Sequence, residues 1–248
     1  MENADRFSDL LDHISLDCVV FGFHENQMKV LLLRMKFSHE WALPGGFVHE
    51  HESLEIAADR VLKERTGLSR IFLQQFHVFS DPLRSKHNPA VPDVLQAGKF
   101  SGTEWFNQRF ISVGFYALVD FSKVEPKPDE LSDVCTWVSL DEIEKLMMDH
   151  RQILDKALET LRLHLALQPV GLNLLPEKFT MPQLQKLYET ILGKGLDRRN
   201  FQRKMLGYGI LTKLAEVKTG GPHKAPALYK FDQINYQKAL KEGLSGRW

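Results

Sequence analysis

The sequence predicts an α+β chain of two domains, and three observations predict it. Apolar runs of strand character alternate with amphipathic helical stretches over roughly the first two thirds. A helix, a tight turn, a second helix and a basic hairpin follow in the remainder. Charge divides in the same place: from Val170 onward 14 Lys and Arg face 6 Asp and Glu, a surplus of +8, whereas the preceding residues hold 18 basic and 26 acidic side chains, a balance of −8. A net charge of zero thus conceals a basic module joined to an acidic one. The bland alternative is two solvated faces with a chance bias. With 248 residues, 43% of them hydrophobic and 26% charged, the chain has room for two globular domains, here divided into 1–168 and 169–248.

Taken in order, residues 6–13 predict a short helix. Residues 16–23 and 28–35 are β-branched and apolar, and His24-Glu25-Asn26-Gln27 between them marks a hairpin. Residues 41–47 contain Pro44-Gly45-Gly46, a loop signal. Over 53–66, Leu54, Ala57, Ala58, Val61 and Leu62 recur at helical spacing, and Gly67 stops the helix. Strands are expected over 71–79, 110–120 and 133–139. Helices are expected over 140–148, with Ser139 as N-cap, and over 151–167. The stretch 80–108 carries Pro82, Pro89, Pro92, Gly98 and Gly102, and a loop that long is functional or disordered. Residues 168–176 read as a linker.

The second domain opens with Thr180 as N-cap, Pro182 in the first turn, and an apolar stripe of Leu184, Leu187, Tyr188 and Ile191. Gly193 and Gly195 end that helix. Asp197 caps the next, 198–206, which Gly207 and Gly209 stop. Residues 210–217 and 227–231 read as two strands joined by a basic loop, so that the whole has the form of a winged helix-turn-helix.

Cys18 and Cys135 lie in apolar strand segments and read as small hydrophobes, not as a disulfide or a zinc pair. No apolar run is long enough to span a bilayer and no basic-then-apolar leader opens the chain, so a cytoplasmic protein without a membrane partner is expected.

Two constellations carry the chemistry. In the first, Gly46, Glu52, Arg60, Leu62, Glu64, Gly67 and Leu68 keep the spacing Gly-x5-Glu-x7-Arg-Glu-U-x-Glu-Glu-x-Gly-U, where U is aliphatic. This spacing, with Trp41-Ala42-Leu43-Pro44-Gly45-Gly46 before it, resembles the Nudix hydrolases from about residue 15 to 150. The resemblance implies an α/β/α sandwich on a mixed sheet. Val61 and Arg65 stand where the box has glutamates. Nudix pyrophosphate cleavage uses divalent cations, which neutralise the phosphates and activate water, and magnesium takes oxygen ligands. Positions 61, 64 and 65 share one helix face, yet only Glu64 offers a carboxylate there, and Arg65 repels a cation at close range. No catalytic residues, no metal and no cofactor are expected, and Gly46, Glu52, Arg60, Glu64 and Gly67 read as scaffold. Glu50 and Glu55 are near enough to act as replacement ligands, which keeps a magnesium-dependent hydrolase of ADP-ribose or another nucleoside diphosphate derivative as the alternative.

In the second constellation, Arg198, Arg199, Asn200, Gln202, Arg203 and Lys204 crowd one helix, with Phe201 and Met205 on its buried side. Arg reads guanine and Asn or Gln reads adenine when such a helix enters a major groove. Lys218, His223 and Lys224 fall in the hairpin, placed to touch phosphates. The competing reading is a solvated basic face or a protein-binding module.

Together the two resemble the Nudix-related transcriptional regulators, both the NrtR type that responds to ADP-ribose and the sugar-responsive AraR type. Leu16-Asp17-Cys18-Val19-Val20-Phe21-Gly22-Phe23, Pro169-Val170-Gly171-Leu172-Asn173-Leu174-Leu175-Pro176 and Ala227-Leu228-Tyr229-Lys230-Phe231 look closer to the latter. Residues 80–108 depart from it. The resemblance implies a homodimer on a double-stranded, palindromic DNA operator, and a sugar or nucleotide-sugar effector in the former substrate cleft. The candidate effector residues are Trp41, Phe47 and Arg65, the last as a cation for an anionic ligand.

Overall fold

The computed structural model describes residues 9–36, 38–68, 71, 73–86, 88, 108–121, 124–217 and 226–244. They fall into two compact units. One comprises residues up to 22, 29–119 and 123–157, and the other 23–28, 120–122 and 158 onward.

The first unit is built on a seven-stranded mixed sheet: β1 (Leu10–His24), β2 (Gln27–Met35), β3 (Trp41–Ala42), β4 (Gly45–His49), β5 (Leu73–Phe79), β6 (Ile111–Val119) and β7 (Ser132–Ser139). The order is β3-β2-β1-β6-β5, with β4 paired to β1 and β7 to β2. β1 and β6 run parallel from Ile14 beside Ile111 to Gly22 beside Val119. The stretch from Leu16 to Phe21 is buried throughout, as a central strand covered on both faces must be. Leu16, Cys18 and Val20 pack with Ala57, Ala58, Val61 and Leu62 of helix α1 (Leu54–Thr66). The intervening Asp17 faces the other way and meets His150, the first residue of helix α2 (His150–His164).

Local chemistry sets the bounds of α1. Ser53 accepts from the Ile56 N–H, and Gly67 closes the helix at φ 75° with its N–H on the Lys63 carbonyl.

Three stretches differ from expectation. Residues 10–13 are strand, not helix, because β1 continues through them and pairs Leu10 with His49; residues 6–8 lie outside the described ones. The Gly45-Gly46 pair is strand β4 rather than loop: a Cβ on Gly46 would sit 2.8 Å from a Val61 methyl, and one on Gly45 2.7 Å from an Asp17 carboxylate oxygen. These glycines serve close approach, the second use glycine has. Over 140–148 only a 3-10 turn, Leu140–Glu142, forms. Ile143 is extended, and the Met147 N–H donates to the Trp41 carbonyl at 2.8 Å, so the backbone is drawn to β3 instead of closing a helix.

The second unit holds β8 (Phe179–Thr180), α3 (Met181–Leu192), α4 (Arg198–Gly207), β9 (Leu211–Val217), β10 (Ala227–Phe231) and α5 (Gln233–Glu242). Its antiparallel sheet has the order β8-β10-β9. Thr180 and Gln183 cap α3 reciprocally, a capping box that also seats Pro182 in the first turn. Tyr188 of α3 and Phe201 of α4 meet edge to face with centroids 5.4 Å apart. Residues 169–175 are not a free linker. Val170, Leu174 and Leu175 are buried, and the Tyr236 hydroxyl donates to the Pro169 carbonyl at 2.8 Å. Among the described residues no helix is long and apolar enough to cross a membrane.

Candidate functional site

The first unit holds a cavity of about 130 Å³ between β1, β4 and the start of α2. Phe47, Phe110, Met35, Leu131, Met147 and Met148 supply its apolar lining. Arg65, Arg84, Asp17, Ser85 and His150 supply its polar side. Phe47 and Phe110 lie 5.3 Å apart, centroid to centroid, tilted by 47°.

Behind that lining is a buried ionic cluster. The Arg84 side chain is 2% exposed. Its guanidinium grips Asp149 with two hydrogen bonds, 2.8 and 3.0 Å, and donates to Asp17 at 3.3 Å. Ser112 donates to the same Asp17 oxygen at 2.5 Å. His150 Nδ1 accepts from the Leu43 N–H at 2.9 Å, which leaves the proton on Nε2, 3.4 Å from the other Asp17 oxygen. Burial holds the His150 imidazole below its ordinary range, outweighing the pull of Asp17 and Asp149 in the other direction. Ser85 completes the wall: its hydroxyl donates to the Gln108 carbonyl and accepts from the Phe110 N–H, each at 3.0 Å.

Arg65 is placed at this cavity, but its charge is already engaged. It pairs with Asp129, both side chains being mostly buried, and a second nitrogen contacts the Met35 sulfur at 3.7 Å. Asp129 is itself fixed by the N–H groups of Leu131 and Ser132 and by the Ser132 hydroxyl. Phe47 lines the cavity, whereas Trp41 lines a separate groove with Leu32, Val138 and Ile143.

The box residues form a clamp. Arg60 takes Glu52 at 3.0 and 2.5 Å, Glu64 at 3.1 Å and the Phe47 carbonyl at 2.8 Å. Burial pushes the Glu52 carboxyl up, but the Arg60 hydrogen bond, the His49 N–H and the nearby charges together hold it below the usual range. Val61 is buried against Gly46, and Glu64 is an exposed partner of Arg60. Glu50 and Glu55 are exposed. Among the described residues no three carboxylate, His or Cys side chains converge as a metal site. The donors present at positions 61, 64 and 65 do not suit a hard divalent cation: one is a methyl-bearing side chain, one a carboxylate held by arginine, and one a guanidinium.

In the second unit, α4 turns Phe201 and Met205 inward and leaves Arg198, Arg199, Asn200 and Arg203 exposed, with Gln202 and Lys204 half-buried. Asp197 caps the helix through the Asn200 N–H at 2.9 Å, and Arg203 donates to the Asn200 side-chain oxygen at 2.9 Å. Lys218, His223 and Lys224 lie outside the described residues.

No motif in the sequence marks Asp17, Arg84, Asp149 and His150 as a site. One signal was present. Asp17 is a lone carboxylate inside the apolar run Leu16 to Phe21, and a buried charge calls for a partner. Nothing in the sequence pointed from it to Arg84, 67 residues away.

A mixed sheet carrying the box helix, followed by a winged helix with an exposed basic helix, defines a class of protein. Residues 12–157 match the NUDIX domain family, and residues 171–231 match the NrtR DNA-binding winged helix domain. The chain belongs to the NrtR-type family, a Nudix domain followed by an NrtR winged helix domain. It is 29% identical over 231 residues to the ADPR responsive transcriptional repressor NtrR of Acinetobacter baylyi, covering 90% of this chain and 83% of that one. It is also 29% identical over 138 residues, 54% of this chain and 69% of the other, to an ADP-ribose pyrophosphatase of Methanocaldococcus jannaschii. In fold it is similar to Shewanella oneidensis NrtR, solved in complex with a 27mer DNA, with a TM-score of 0.72 at 23% identity over 96% of this chain and 100% of that one.

Proposed function

We propose that this chain is a ligand-responsive, DNA-binding transcriptional regulator acting in the cytoplasm. Its residues 1–168 sense the effector and dimerise, and residues 169–248 bind the operator. The observation that carries the reading is the joining of two parts in one chain. One is a cavity beside a box helix without converging carboxylates; the other is the helix α4, with Arg198, Arg199, Asn200 and Arg203 turned to solvent. The likeness of most of the chain to an ADPR responsive repressor supports it, and makes ADP-ribose or a related nucleotide sugar the first effector to try.

In this reading two copies pair, and two α4 helices enter successive major grooves of a palindromic site. The effector alters operator affinity only through a difference in its affinity for the two dimer arrangements. Asn200 is held by Arg203, which sets the pair up to read adjacent bases together.

The test is selection of bound DNA by the purified full chain, then titration of the selected fragment at rising salt. Binding should weaken steeply with salt, since each neutralised phosphate adds about 0.9 to the log–log slope. It should be lost with Arg198→Ala plus Arg203→Ala, and ADP-ribose should shift it. No salt-dependent binding to any fragment would overturn the reading. The likeness to a pyrophosphatase favours one other function, magnesium-dependent hydrolysis of a nucleoside diphosphate derivative. Turnover of ADP-ribose that Glu64→Gln abolishes would establish it.

A further inference from the structure

We propose that the cavity of the first unit admits one uncharged ring of the effector, a nucleobase or a sugar, and turns phosphate away. This rests on the reading that the cavity is the effector site, and it reverses the role the sequence suggests for Arg65.

Size is the first argument. The cavity measures about 130 Å³. An apolar cavity of roughly 150 Å³ takes up one benzene, so a single six- or five-membered ring matches a space of this order.

Charge is the second argument. Both arginines that line the space are spent on carboxylates: Arg65 on Asp129, and Arg84 on Asp149 and Asp17. His150 accepts the Leu43 N–H on Nδ1, as the uncharged imidazole does, so two guanidiniums face three carboxylates. A pyrophosphate group entering here meets net repulsion at low dielectric, where charges act strongly. To reach a guanidinium it must first displace an aspartate that is already hydrogen-bonded from several sides.

The lining gives the third argument. Phe47 and Phe110 offer two ring faces, and the Met35 and Met147 side chains are adaptable and polarizable, a surface suited to the flat side of a ring. Arg65 Nε is buried without a hydrogen-bond partner. The Arg65 side chain thus lines the cavity with one N–H left without a partner, and a buried donor of this kind costs stability until it is satisfied.

The experiment is calorimetric titration of the full chain with adenosine, D-ribose and inorganic pyrophosphate. Adenosine binding without ribose binding would identify the ring as a base, and ribose binding would identify it as a sugar. Pyrophosphate should give no heat over the same range. Phe47→Leu, which leaves every charge in place, should weaken the ring ligand about tenfold, a loss of about 1.4 kcal/mol. Asp129→Asn, checked for folding by circular dichroism, should free Arg65 and make pyrophosphate binding measurable. Two results overturn the proposal: pyrophosphate binding the unaltered chain as tightly as the better ring ligand, or neither ring ligand binding at all. Operator binding measured on the same preparations separates the two ideas. Ring binding without DNA binding sinks the regulator and leaves the ring site standing. DNA binding modulated by pyrophosphate alone keeps the regulator and sinks the ring site.

Discussion

Replacing Arg84 by methionine removes a buried cation while keeping an apolar stem of similar length. The consequences fall unevenly on its two partners. Asp17 retains the Ser112 hydroxyl at 2.5 Å and the His150 ring at 3.4 Å. Asp149 loses both short hydrogen bonds that Arg84 gives it, and its side chain is only 10% exposed. Breaking a buried pair by deleting one member costs about 3–5 kcal/mol, because the orphaned charge has no water to fall back on. At about 2–4 °C per kcal/mol for a unit of this size, the melting temperature of the first unit should drop by roughly 6–20 °C. Scanning calorimetry with urea titration measures it. Adding Asp149→Leu to Arg84→Met should restore at least about half of the loss, since the orphaned carboxylate is then gone. A single-variant cost below about 1 kcal/mol, the range of exposed pairs, would refute the reasoning and show that water reaches the cluster.

Three further outcomes follow from the same geometry. Gly46→Ala should cost about 1–3 kcal/mol by forcing a methyl to within 2.8 Å of Val61, and Gly46→Ala with Val61→Ala should regain part of it in urea titration. Glu52→Gln should destabilise far more than Glu64→Gln, because the Glu52 side chain is 10% exposed and takes Arg60 in two hydrogen bonds, whereas Glu64 is 57% exposed and contributes less than about 0.5 kcal/mol; equal losses would contradict the clamp. His150 is held below its ordinary 6.5 by burial, so its contribution to stability is present above that pH and is lost as pH falls through the lowered value. His150→Gln should therefore flatten the fall in melting temperature from pH 7 to pH 5, and an unchanged fall would assign it to other groups.

The sequence was most legible where structure is local. Gly67 ends α1, Thr180 and Gly193 bound α3, and Asp197 starts α4, because caps and stripes act over three or four residues. It was least legible where backbone partners are distant. The strand at Leu10 needed His49, β4 needed the glycine contacts with Val61 and Asp17, and the aborted helix after Glu142 needed the Trp41 carbonyl. The same division holds at the site. Phe47 and Arg65 are placed by the box and its helix, while Arg84 reaches the cavity, and Asp149 reaches Arg84, from segments with no motif of their own. Arg65 carries the sharper lesson. A residue type at a motif position says where a charge sits, and only the fold says that Asp129 has already answered it.

The fit of Val61 against Gly46 has a consequence for descent. Reinstating the box means placing a carboxylate at position 61, in a site 2% exposed and walled by strand β4, and another at position 65, directly beside Asp129. The first change buries an unpaired charge and the second sets like charges together. Each step taken singly lowers stability, so a lineage carrying this helix meets a valley on the way to the full set of box carboxylates. The packing acts as a ratchet: it leaves selection free to reshape the lining of the cavity, and holds positions 61 and 65 to an apolar side chain and a cation.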